Sequence, residues 1–228
     1  MGIKGLLKIA GVSVLVYSAF AFIANPSGCI SSCSKPKSSI VQPSEMKTVR
    51  VDGKLDYKDV RHYMTDEQIR RVEDTAKEDY KTVVKELKTP LEAMIYCTKV
   101  LSYEKDINVY GKKDYWASFK NIHKNKKDDC DGGAFAAAAI LSDDGFPPYI
   151  AVFRNNKEAH AVFVYKTTEG KYGSIGINTS DCVSGCGSIE ELRDRLSKVK
   201  DKYTHIKVYD LSKQYPDYID NDKDNKLE

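Results

Sequence analysis

The 228-residue chain lacks a surplus of charge of either sign: 36 Lys and Arg stand against 33 Asp and Glu, a formal net of +3. Basic and acidic residues are interspersed, so the extended positive field that holds nucleic acid is missing and no nucleic-acid partner is expected. Cysteine is sparse as well. Six of them, Cys29, Cys33, Cys97, Cys130, Cys182 and Cys186, are too few and too far apart to staple a coreless mini-protein, which leaves structural pairs, metal or chemistry as their roles. The chain also lacks the repeated hydrophobic runs of a multi-span membrane protein. With 41% apolar and 30% charged residues, it has the composition of a chain that folds in water. Its length suits one ordinary domain with extensions and is too short for two full α/β domains.

Residues 1–24 carry the one long apolar run. Ile9 to Ala24 is uncharged behind Lys4 and Lys8, the pattern of an export signal. Ala19-Phe20-Ala21 offers a cleavage site for a signal peptide, and Gly5 to Ala24 is close to the ~20 residues that span a bilayer, so a transmembrane anchor is the alternative. Either form implies an extracytoplasmic location, membrane-anchored or secreted, with the membrane as a partner through this segment. Residues 25–46, rich in Ser, Pro and Lys, have the composition of a flexible linker. The folded domain is expected over 47–214, and residues 215–228 read as a polar tail.

Within the domain, Thr65-Asp-Glu-Gln68 is a capping box followed by Ile69, Val72, Ala76, Tyr80, Val83 and Leu87 at helical spacing, which predicts one long amphipathic helix. Thr89-Pro90-Leu91-Glu92 predicts a second helix through about Tyr103, with Cys97 among its core residues. A third, built of small residues, runs from Cys130 to Gly145. Tyr149–Arg154, His160–Lys166 and Tyr172–Asn178 read as strands, Ser188 caps another helix, and Tyr203–Asp210 is a fourth strand. Helices followed by a small antiparallel sheet make an α+β fold.

The chemistry centres on Cys130. A thiol reacts as thiolate, and a helix N-terminus lowers a cysteine pKa. Gly132 and Gly133 are expected to leave the first turn open to a substrate. Asp128, Asp129 and Asp131 act against the thiolate, so a partner base is needed. His160, at the start of an apolar strand, is that base, whereas His123 and His205 have no supporting pattern. If Thr168-Glu169-Gly170 forms a three-residue turn, residues whose numbers sum to 338 face each other, and Asn178 falls opposite His160. Asp181, three residues on, points the other way by strand parity unless the chain bends after Asn178; it is the reserve orienter.

The run Asp129-Cys130-Asp131-Gly132-Gly133-Ala134, the His160-Ala161-Val162 strand opening and the polar end of the next strand resemble the transglutaminase-like superfamily of papain-like cysteine enzymes, over about residues 65–180. The resemblance implies a papain-like core with Cys130 as nucleophile, His160 as base and Asn178 as orienter. Asparagine departs from the aspartate usual in transglutaminase-like members, toward papain-type peptidases. The implied activity is cleavage of amide bonds in a peptide or protein substrate through a thioester, with no cofactor and no metal. Transglutaminase-type acyl transfer, a cell-wall peptide endopeptidase and an inactive binding domain of the same fold are the alternatives. The backbone N–H of Cys130 is the simplest oxyanion donor, with Trp116 a side-chain candidate. Cys182 and Cys186 are disulfide candidates, with each other or with Cys29 and Cys33.

Overall fold

The computed structural model describes residues 39–51, 64–197, 203–213 and 217–220. In chain order they form β1 (Ser39–Val41), β2 (Thr48–Val49), α1 (Asp66–Thr75), α2 (Tyr80–Glu86), α3 (Pro90–Ile95), β3 (Ser102–Tyr103), α4 (Asp106–Tyr110), α5 (Phe119–Asn125) and β4 (Lys127–Asp128). After these come α6 (Cys130–Leu141), β5 (Tyr149–Arg154), β6 (Ala159–Thr167), β7 (Tyr172–Ile175), β8 (Val183–Cys186), α7 (Ile189–Ser197), β9 (His205–Asp210) and α8 (Asp217–Asp220). The arrangement is α+β.

Capping chemistry sets the helix starts. Thr65 Oγ1 accepts from the Gln68 N–H at 3.2 Å, and Gln68 Oε1 accepts from the Thr65 N–H at 3.0 Å. The single long helix expected from this point is in fact two. Asp79 breaks it, because its carboxylate accepts from the N–H groups of Lys81 (2.9 Å) and Thr82 (3.2 Å) and so starts α2 afresh. At Thr89 a second capping box with Pro90 at the first helical position opens α3. This helix widens into a π turn at Tyr96–Val100 and ends at Leu101, two residues before the expected Tyr103, because Ser102 and Tyr103 peel away as β3.

The main sheet runs β1-β9-β5-β6-β7-β8, with β2 added in parallel beside the end of β6. It therefore takes in Ser39–Val41, and Met46 beyond them is only 3% exposed, so ordered structure begins ahead of residue 47. In the β6–β7 hairpin Phe163 faces Ile175, Val164 faces Ser174 and Tyr165 faces Gly173, the register anticipated from the turn. Gly170 supplies the positive φ, +75°. The strand β7 stops at Ile175, short of the expected Asn178, because residues Thr179–Asp181 form a 3₁₀ turn that folds Asp181 back beside Gly176; a Cβ on that glycine would lie 2.5 Å from the Asp181 Cβ.

Alternation along β6 divides the core. Ala161, Phe163 and Tyr165 pack in the cluster that contains α6, while Val162 and Val164 join Ile189, Leu192 and Leu196 of α7 on the other face. Every residue of α6 from Asp131 to Leu141 is buried, as expected of a helix that is apolar on all sides. Its first turn rests on the chain just beyond β7, where a Cβ on Gly133 would come within 2.7 Å of both Cβ and N of Ile177. No helix among the described residues is long and apolar enough to cross a membrane; the 1–24 segment lies outside them. Substituting Gly133→Ala is expected to destabilise the domain by about 1–3 kcal/mol, the usual cost of overpacking, read as a lower urea midpoint with unchanged slope. An unshifted midpoint would show that the helix does not bear on Ile177.

Candidate active site

Cys130 is the first residue of α6 and is half-buried against the α6-side core. Asp129 caps the helix, its carboxylate accepting from the Asp131 N–H at 3.2 Å. The helix N-terminus thus carries the sulfur in the position read from the sequence. The neighbouring glycines have another purpose than the open approach expected of them. Both are buried: Gly132 lies against the Asp128 carboxyl, whose Cγ would be 2.1 Å from an added Cβ, and Gly133 lies against Ile177.

His160 is the second residue of β6 and only 4% exposed. Its Nε2 lies 2.9 Å from Asp181 Oδ1, and its ring stacks on Tyr203 with centroids 6.1 Å apart. Asp181, 2% exposed, is the residue that holds the imidazole. Asn178 takes the place behind it: its backbone N–H and its side-chain amide each donate to Asp181 Oδ2 at 3.2 Å. The chain bends after Asn178, so the reserve residue rather than the expected one meets His160. A carboxylate acceptor makes Nε2 the donor, which leaves Nδ1 as the acceptor nitrogen of the neutral ring. By strand parity His160 follows Val162 and Val164, toward Tyr203. It lies at the end of the sheet where β7 leaves the ladder and the first turn of α6 meets Ile177.

Around Cys130 the structure gathers a feature the sequence reading passed over. Asp106, Asp128, Asp129 and Asp131 each offer a carboxylate oxygen within 4.8 Å of the others. Tyr110 donates to Asp128 Oδ2 at 2.6 Å, the Asp129 N–H to Asp128 Oδ1 at 2.8 Å, and the Tyr115 N–H to Asp106 Oδ2 at 2.5 Å. Asp106 Oδ1 and Asp131 Oδ1 are buried with no hydrogen-bond partner. Burial, then the Asp129 charge, pushes Asp106 up to about 6; burial, with Asp106 and Asp129 adding to it, pushes Asp128 up to about 8. Asp131 is raised well above the carboxylate range by burial and by Asp129. Converging oxygens with two orphaned atoms fit a hard divalent cation such as Ca²⁺. Asp106 escaped the sequence reading because it lies more than twenty residues upstream, in a loop-rich stretch without a periodic signal.

The remaining candidates are structural. Cys97 is fully buried and donates to the Gly133 carbonyl at 3.4 Å. Cys182 and Cys186 are buried outside any disulfide; burial pushes their thiols up to about 12 and about 11. They fall in different core clusters, and four steps of extended chain separate them by roughly 13 Å, beyond the ~7 Å Cα limit of a disulfide. Cys29 and Cys33 lie outside the described residues. His123 is a buried structural residue between the Tyr96 hydroxyl and the Glu78 carbonyl, at 2.8 Å each, and His205 is exposed beside Thr204. Trp116 packs edge-on against Phe135, centroids 5.0 Å apart.

No protein-family model matches the sequence, and no curated protein matches it. Among solved structures the chain is similar to Legionella pneumophila LapG, with 17% identity and a TM-score of 0.35 over 60% of this chain and 80% of that one. It is also similar to the EGTA-treated form of LapG, with 16% identity and a TM-score of 0.37 over 66% and 93%.

The carboxyl cluster generates a test. With a chelator present, Asp106 and Asp128 keep their protons in the folded state at pH values where the unfolded chain has lost them. The contribution of these two groups to stability is therefore full below about pH 4 and is lost as pH rises through about 6 and then about 8. Added Ca²⁺ at pH 8 should raise Tm, with a gain of about 2.7 kcal/mol at a hundredfold excess over Kd, and Asp131→Asn should abolish the shift. A wild-type Tm indifferent to Ca²⁺ and Mg²⁺ removes the cluster as a cation site.

Proposed function

We propose that the chain is an exported, cysteine-dependent amide hydrolase of peptide or protein substrates. The observation that carries this reading is the buried His160–Asp181 hydrogen bond, at the end of the sheet where a helix headed by a cysteine meets it. A buried acid with an imidazole on one oxygen and two donors on the other can hold that imidazole in one orientation, as a general base requires.

In the proposed cycle Cys130 Sγ attacks the scissile carbonyl carbon and His160 Nδ1 takes the thiol proton. The carbonyl oxygen becomes an oxyanion, for which the backbone N–H groups of the first turn of α6 are the nearest class of donor. Collapse breaks the C–N bond, His160 returns the proton to the leaving amine, and a thioester to Cys130 remains. Water, deprotonated by the same imidazole, then attacks the thioester and releases the acid and the thiol. Asp181 holds Nε2–H throughout and Asn178 holds Asp181. With an amine in place of water the same cycle is acyl transfer. A cation held by the aspartates would offset the negative charge that otherwise disfavours a thiolate at Cys130. The 1–24 segment is the basis for proposing export.

The discriminating experiment is turnover of a complex peptide mixture by purified variants. Cys130→Ser is expected to retain the wild-type fold and lose all hydrolysis; cleavage by that variant above blank would remove Cys130 as nucleophile. Asp181→Ala should lower kcat/KM by about 10²–10⁴-fold, the usual worth of positioned acid–base catalysis, and Asn178→Ala should lower it less. The reverse order would return the orienting role to Asn178. Fast labelling of Cys130 by iodoacetamide that slows in His160→Ala favours the enzyme, whereas labelling at the rate of an ordinary exposed thiol favours a non-catalytic binding domain.

A further inference from the structure

A cavity of about 300 Å³ lies outside the candidate active site. One of its walls is the 3₁₀ turn Ser142–Asp144, which follows α6 directly. The 12 residues of that helix, roughly 18 Å along its axis, therefore separate the cavity from Cys130. Its size is at the lower end of what small-ligand sites offer. Val84 of α2 and Ile219 of α8 supply its apolar surface, and every other lining residue is charged.

The charges are sorted by wall. Lys81 and Lys85 sit four positions apart on one face of α2, with Lys88 just beyond the helix. Like charges at that spacing repel, and their neighbours do little to answer them. Lys81 meets the face of the Tyr80 ring at 5.7 Å, and Lys85 meets Glu86 at 3.5 Å in an exposed pair of little worth. Across the cavity Asp143 and Asp144 stand side by side on the 3₁₀ turn. Lys88 reaches Asp144 Oδ1 only loosely, at 3.7 Å, and Asp144 Oδ2 is buried with no hydrogen-bond partner. The C-terminal end of α6, directly before this turn, adds partial negative charge. A lone anion would be drawn to one wall and repelled by the other, and a lone cation likewise, whereas a ligand with both charges answers both.

We propose that this cavity binds a dipolar ligand, a short peptide with both termini free, its carboxylate toward Lys81 and Lys85 and its ammonium toward Asp143 and Asp144. An extended dipeptide holds its two charges roughly 7 Å apart, and small side chains between them rest on Val84 and Ile219. The ammonium brings donors to a pair of carboxylates that is short of them, and the carboxylate relieves the repulsion along α2. The site is separate from Cys130, and its assignment does not depend on that residue being a nucleophile.

The test follows the Val84 and Ile219 methyl signals by NMR in the full chain carrying Cys130→Ser, so that added peptide is not consumed. Ala-Ala should move both signals with a Kd on the order of 1–10 mM, as expected of a ligand of its size. Acetylating its amine, or amidating its carboxylate, should each weaken binding by about fivefold, the upper worth of one partly exposed ion pair. The amidation penalty should vanish in Lys81→Gln combined with Lys85→Gln, and the acetylation penalty in Asp143→Asn combined with Asp144→Asn, each double variant keeping the other penalty. Signals unmoved by Ala-Ala, or equal affinity for the free and the capped peptides, overturns the proposal. A double variant that loses both penalties overturns the assignment of charges to walls. Tighter binding of inorganic phosphate than of Ala-Ala makes the cavity a plain anion site and overturns the dipolar ligand.

Discussion

The hydrogen bond from His160 to Asp181 is the contact on which the site depends, and it exists because of a turn. A carboxylate that is 2% exposed must find donors or abandon its charge. Asp181 finds three: His160 on one oxygen and the backbone and side-chain N–H groups of Asn178 on the other. Ser174 adds a fourth tie by donating to the Asp181 carbonyl at 2.7 Å. The arrangement needs the chain to fold back immediately after β7, and Gly176 provides the space in which the Asp181 side chain lies. Three neighbours, Ser174, Gly176 and Asn178, thus fix the carboxylate that holds the His160 ring. They also fix which imidazole nitrogen faces that carboxylate.

On the cysteine side, packing is set by absent side chains. Gly133 lets α6 settle on Ile177, and Gly132 admits the Asp128 carboxyl against the first turn. Methyl groups at either position would move the helix or expel the acid, so the pair of glycines fixes the sulfur indirectly. Small residues along the rest of the helix serve the same end, since alanines permit the close approach that buries α6 on every side.

Much of this was legible in the sequence because it is encoded locally. The capping boxes at Thr65 and Thr89 depend on residues three apart, and the β6–β7 register depends on one turn with a glycine at positive φ. Both follow from short-range geometry. Asp79, read as part of a continuous helix, shows the limit: periodicity of apolar residues survives a break when the two helices pack on the same core. Asn178 shows another. The hairpin keeps the register set by its turn, but the ladder ends at Ile175 before Asn178 can pair; a strand's end is decided by what the chain meets beyond it, here room beside Gly176, and strand parity says nothing once the strand has ended. Asp106 could be found only in three dimensions, because its partners come from β4 and α6 while it begins α4.

The two sides of the candidate site have opposite electrostatic needs. In the proposed cycle negative charge on the imidazole side is useful, because Asp181 would steady the cation formed when His160 takes the thiol proton. On the sulfur side it is harmful, because every ionised carboxylate near Cys130 raises the cost of a thiolate. A cluster of four aspartates at that position is therefore tolerable only when its charge is balanced, by retained protons or by a bound cation. Burial first, and the neighbouring carboxylates after it, push Asp106, Asp128 and Asp131 toward the protonated form. The state of the cluster and the nucleophilicity of the thiol are thus one electrostatic problem, and any change that neutralises the first must favour the second.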